Sequence, residues 1–102
     1  MSGAVFIYRW RVAAEHETAF LDRWREATRD LGNRGGLGSL IGKNKDGELV
    51  AIALWPDAET RDAAFASNGD AEPWPPNDRL AAEQIDPLSD MWKPAVWREL
   101  NR

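Results

Sequence analysis

The feature that most constrains this chain is a run near its start that alternates with a period of two and is apolar on both sides. Phe6, Tyr8, Trp10 and Val12 fall on one side, while Val5 and Ile7 fall on the other before the pattern turns polar at Arg9 and Arg11. Successive side chains of a strand point to opposite faces, so a strand predicted from Ala4 to Val12 needs cover above and below. Helices of the same chain supply one cover, and a second copy is the simplest source of the other, so a homodimer is expected. With 102 residues the chain reads as a single domain over 1–102.

The period then changes. From about Glu15, Phe20, Trp24, Ala27 and Leu31 recur at helical spacing and share one face. Glu15 and Glu17 suit the positive end of the helix dipole, and Asp22, Arg25, Glu26 and Arg29 offer solvent-side pairs. This helix is predicted to stop near Gly32 as a left-handed cap, with Gly35-Gly36 turning the chain back.

Two strands are predicted next, about Leu37 to Lys43 and Glu48 to Trp55, joined by Asn44-Lys45-Asp46-Gly47, in which Asp-Gly is a strong hairpin signal. On the second of them Leu49, Ala51, Ala53 and Trp55 alternate with Val50, Ile52 and Leu54. The two alanines make one face small and leave room beside it. Pro56 ends the strand, and Asp57 is placed to cap a second helix running to about Ala66, with Phe65 as its buried anchor.

Beyond it, Ser67 to Asp78 reads as a Pro-, Gly- and charge-rich loop carrying Trp74. A short helical turn over Leu80 to Ile85 and a last strand near Ala95 to Leu100 are expected, with Pro94 holding that strand at an edge. The order βαββαβ is the split arrangement of an α+β, ferredoxin-like fold with an antiparallel sheet. Val5, Ile7, Val50, Ile52 and Leu54 are expected on the face that a second copy covers.

Composition removes several functions. A net charge of −4 opposes nucleic-acid binding, which depends on neutralising phosphates. There is no cysteine, so thiolate catalysis and thiolate metal sites are excluded, and the single histidine, His16, makes no cluster. No apolar run approaches the ~20 residues that span a bilayer, and no leader segment is read at the N-terminus, so a cytoplasmic protein is expected. The stretch from Gly32 to Ser39 is not a phosphate loop, because it follows a helix and leads into a strand.

The run Phe6-Ile7-Tyr8-Arg9-Trp10-Arg11-Val12, then Phe20 and Trp24, Gly36-Leu37-Gly38-Ser39, Asp46-Gly47 and Ala53-Leu54-Trp55-Pro56, resembles the antibiotic biosynthesis monooxygenase superfamily. The likeness covers roughly residues 4 to 66. It implies a dimeric α/β barrel with a pocket between sheet and helices, and oxygenation of aromatic substrates with no cofactor, neither metal nor flavin. An electron-rich hydroquinone or anthrone would lose a proton, and its anion would be held in a dry aromatic slot beside oxygen. On that reading the catalytic candidates are Tyr8, through a hydrogen bond to the substrate oxygen, and Trp55, through stacking; Trp10, Ala51, Ala53 and Phe65 are the substrate-binding candidates. The haem-degrading branch of the superfamily instead uses a first-strand asparagine, a tryptophan ending the third strand and a histidine on the second helix. Here Tyr8 stands at the first position, only Trp55 has a counterpart, and no histidine follows His16, so haem degradation by that route is rejected.

Plainer readings stand beside these. Trp55 can plug the gap between strand and helix, the Tyr8 hydroxyl can be satisfied within the fold, and Trp10 and Trp24 sit at core periodicities. His16, between two glutamates at a helix start, is expected to be exposed. Arg9 and Arg11 fit interface ion pairs better than an anionic ligand. Trp74 is either a lid or an anchor for its loop, and Asp70, Glu72 and Asp78 read as solvated loop charge rather than a cation site. Two other functions therefore compete with the monooxygenase: a non-catalytic small-ligand-binding dimer, and a structural dimer whose interior is filled by side chains.

Overall fold

Each change of period along the chain becomes a change of element. The computed structural model describes residues 3–67 and 73–101. It contains β1 (Ala4–Arg11), α1 (Ala14–Gly32), β2 (Ser39–Lys43), β3 (Leu49–Trp55), α2 (Ala58–Ala66), β4 (Asp78–Ile85) and α3 (Pro94–Leu100). The strands form one antiparallel sheet in the order β2-β3-β1-β4, so β1 is central beside β3, and the βαββαβ order is that of a ferredoxin-like α+β fold.

Register decides which side chains share a face. Ala4, Phe6, Tyr8 and Trp10 lie opposite Trp55, Ala53, Ala51 and Leu49. Leu31 of α1 and Ala58 and Ala64 of α2 pack on a cluster of Ala4, Phe6 and Trp55, so both helices cover this face. Phe20 of α1 is fully buried, and Lys43 of β2 is tied to Glu17 of α1 at 2.6 Å. The opposite face carries Val5, Ile7, Val50, Ile52 and Leu54, joined through the register by Leu40 and Ile85. Leu54 and Ile85 are 38% and 44% exposed and the other four of β1 and β3 are half-buried, so this apolar face is incompletely covered.

The hairpin forms as its sequence demands. Asn44 Oδ1 accepts hydrogen bonds from the backbone N–H groups of Asp46 and Glu48, and Gly47 takes φ 79°. Asp57 caps α2, accepting from the Thr60 N–H at 2.7 Å.

Four expectations are corrected. The left-handed glycine after α1 is Gly35 (φ 107°), not Gly32, which remains in the helix; a Cβ on Gly35 would lie 2.6 Å from Thr60 Cγ2. The buried anchor of α2 is Ala64, at 3% exposure, and Phe65 is 40% exposed because it leans along the sheet toward Trp55. Residues 80–85 are not a helical turn: they belong to β4, which pairs along the free edge of β1. Residues 95–100 are not a strand. They form α3, with Pro94 in its first turn, where a missing N–H costs nothing.

Candidate functional site

Between the helix-covered face and α1 and α2 lies a cavity of about 700 Å³, a size typical of small-molecule sites. It exists because Ala51 and Ala53 place only methyl groups in the middle of the sheet, where larger side chains would meet the helices. Within one chain this space is not filled by the side chains that border it.

All six site residues named from the sequence border this space: Tyr8, Trp10, Ala51, Ala53, Trp55 and Phe65. Alternation brings the first five together on two neighbouring strands, and α2 delivers the sixth. Tyr8 and Trp10 stack at 5.7 Å with 19° between their planes, and Trp10 meets Phe20 edge-on at 5.2 Å. Trp55 is 3% exposed and 6.3 Å from Phe65, so it is both core and cavity wall. Trp24, read from its spacing as packing, also borders the cavity. Trp74 stands against Phe20 at 5.1 Å beneath the Arg23 guanidinium at 4.9 Å, so one side chain anchors its loop and walls the cavity.

The residue the sequence reading missed is Arg61 of α2. Its guanidinium carbon lies 4.5 Å from the Phe6 ring centre and 4.3 Å from that of Phe65, a cation between two aromatic faces. Nη2 donates to the Tyr8 hydroxyl oxygen at 2.6 Å, and Nη1 donates to Asp62 at 3.1 Å. Because the Tyr8 oxygen accepts from Arg61, its own hydrogen remains available to an acceptor in the cavity. Nε of Arg61 is buried without a hydrogen-bond partner. A signal existed: Arg61 is one turn before Phe65 and three residues after Ala58, on the face that α2 turns inward.

The other charged candidates lie elsewhere. Glu48, 8% exposed, accepts from Arg9 at 2.9 Å, Arg11 at 3.5 Å and Asn44 at 3.0 Å. The Asn44 hydrogen bond first, and then Arg9, hold its carboxyl below the ordinary carboxylate range. Arg9 and Arg11 are thus engaged within their own chain. His16 is partly exposed, 4.0 Å from Glu15, and does not border the cavity. Asp78 is exposed at the start of β4, while Asp70 and Glu72 lie outside the described residues. Among the described residues no group of three His, Cys, Asp or Glu side chains is placed to hold a metal, and no helix is long and apolar enough to cross a membrane.

Neither the protein-family models nor the curated proteins compared with the sequence gave a match. Solved structures did. A candidate antibiotic biosynthesis monooxygenase from Chloroflexus aurantiacus J-10-fl superposes with a TM-score of 0.68 at 12% identity, over 89% of this chain and 98% of that one. SnoaB, a cofactor-independent oxygenase from Streptomyces nogalater, gives 0.64 at 16% identity, over 92% and 99%. A heme-degrading protein from Mycobacterium tuberculosis gives 0.64 at 16% identity, over 91% and 100%. The chain has the fold of the antibiotic biosynthesis monooxygenase-type proteins. That fold serves more than one chemistry, so the residues of the cavity must choose between them.

Proposed function

We propose, from this fold and an aromatic cavity bordered by Tyr8, Trp10, Trp55 and Trp74, that the protein is a cofactor-independent monooxygenase acting as a homodimer on a small aromatic or polyketide-type substrate. The observation that carries the proposal is the Tyr8–Arg61 pair inside that cavity. A flat ring fits among the indoles, the Tyr8 hydroxyl donates to its oxygen, and Arg61 stabilises the negative charge that appears when the ring carbon loses its proton. For an anthrone, the carbanion then gives its electrons to dioxygen. One oxygen atom becomes the new carbonyl and the other leaves as water with the two ring-methylene hydrogens, so the substrate supplies every electron. The asparagine and histidine of the haem-degrading branch have no counterpart in the sequence, which supports this choice over haem chemistry.

The second copy is proposed to cover the apolar face of Val5, Ile7, Val50, Ile52 and Leu54, and sedimentation of a stable monomer at micromolar concentration would contradict that. Oxygen uptake with a panel of hydroquinones and anthrones tests the chemistry. Uptake is expected for at least one compound, with a fall of about ten- to a hundred-fold in Tyr8→Phe, the size of a lost hydrogen-bond or proton-transfer partner, and in Trp55→Ala. Saturable binding without uptake would assign the protein to the alternative, a non-catalytic small-ligand-binding dimer.

A further inference from the structure

The cavity is charged in the opposite sense to the molecule that contains it. The chain carries a net charge of −4, yet the described residues bordering the cavity include Arg23, Arg61 and Arg79 and no aspartate or glutamate. Of the three, Arg61, 23% exposed and held between two aromatic rings, is the one least screened by water, whereas Arg79 is exposed. A ligand that already carries a negative charge when it binds would gain from these guanidinium groups in its ground state as well.

Arg61 is the innermost of these cations. Its side chain is only 23% exposed and is clamped between Phe6 and Phe65, which removes the rotamer freedom that an arginine ordinarily loses on binding. Its one carboxylate partner, Asp62, is 68% exposed and well solvated, so it offsets little of the charge. The buried Nε has no acceptor, and a buried guanidinium N–H without a partner is costly.

We infer that the cavity selects an anionic aromatic, a planar ring bearing a carboxylate or an ionised ring oxygen, and that Arg61 receives the negative oxygen. The inference rests on the proposed reading of the cavity as a ligand site and adds the charge of the ligand to it. Tyr8 and Arg61 then form one recognition pair: the hydroxyl donates its hydrogen and the guanidinium one of its remaining Nη N–H groups to the same anionic group. Arg79, reaching the cavity from β4 beside Trp10, adds to the attraction without needing to touch the anion.

Isothermal titration calorimetry of the whole chain with 2-naphthoate and with 2-naphthamide, at one pH and one ionic strength, tests this. The two ligands share a ring system and differ in charge. The wild type is expected to bind naphthoate about ten-fold or more tightly than naphthamide, as charge-assisted hydrogen bonds exceed neutral ones. In Arg61→Gln the two affinities should come within about three-fold, while Arg61→Lys keeps part of the preference. Equal affinities in the wild type would overturn the anionic preference and leave the aromatic site standing; binding of neither compound would overturn both. A preference that survives unchanged in Arg61→Gln would overturn the role of Arg61. Circular dichroism establishes that each variant is folded, and the wild-type comparison decides the charge preference without any variant.

Discussion

The two faces of the sheet are built from the same strands by alternate residues, and they differ in what they do with apolar surface. The helix-covered face carries rings and alanines, Phe6, Tyr8, Trp10, Trp55, Ala51 and Ala53, and encloses a cavity. The other carries branched aliphatics, Val5, Ile7, Val50 and Ile52, which are half-buried. Rigid rings around small residues keep a space open, because a ring cannot collapse into the gap a methyl leaves. Aliphatic side chains on a twisted sheet make a surface that another such surface fits. One strand therefore supplies a site with one set of side chains and a candidate interface with the other.

The contrast breaks most visibly at Phe20, which is fully buried and braces both Trp10 and Trp74. Phe20→Ala should cost about 3–5 kcal/mol of unfolding free energy, measured by denaturant titration. A loss well under that would mean the aromatic wall is not continuous. On the opposite face Ile52→Lys should cost about 1 kcal/mol or less within one chain, since the position is half-buried. In a dimer the same change is far more damaging, and analytical ultracentrifugation should show a shift to monomer while the affinity for aromatic ligands holds.

Smaller effects sharpen the comparison at its edges. Asp57→Ala removes the cap that orients α2, and with it Arg61 and Phe65, at about 1 kcal/mol in thermal unfolding. Glu48→Gln tests by pH the ion-pair cluster that holds the hairpin to β1. The folded-state value of Glu48 lies below its ordinary 4.5, so the folded protein binds fewer protons there than the unfolded chain. Its contribution is complete above that value and is lost as the pH falls through the lowered one. Unfolding free energy measured from pH 7 downward should therefore fall less steeply in Glu48→Gln than in the wild type; parallel curves would contradict the assignment.

Much of this was legible in the sequence, and the reason is local periodicity. The β1 alternation, the α1 stripe through Phe20, Trp24, Ala27 and Leu31, the Asp46-Gly47 turn and the Asp57 cap each depend on residues close together in the chain. The cavity-bordering residues of β1 and β3 followed from the same alternation. What failed depended on distant partners. Leu80-Ala81-Ala82-Glu83-Gln84 is rich in helix formers, and it is a strand because β1 offers it an unpaired edge. Ala95, Val96 and Trp97 look like a strand, and Pro94 starts a helix instead. Arg61 escaped for a different reason: a cation on a short helix reads as solvated surface until Phe6, distant in the chain and on another element, closes over it at 4.5 Å.

The aromatic face, and not the aliphatic one, is the face proposed to receive a flat ring. Amide and indole chemical shifts of the ¹⁵N-labelled protein, followed during anaerobic titration with a naphthohydroquinone, test it most directly. The prediction is saturable shifts centred on the indole N–H groups of Trp10, Trp55 and Trp74, larger than any at the amides of Val5, Ile7, Val50 and Ile52. Shifts centred on those four aliphatic positions, or no saturable shift anywhere, would contradict it.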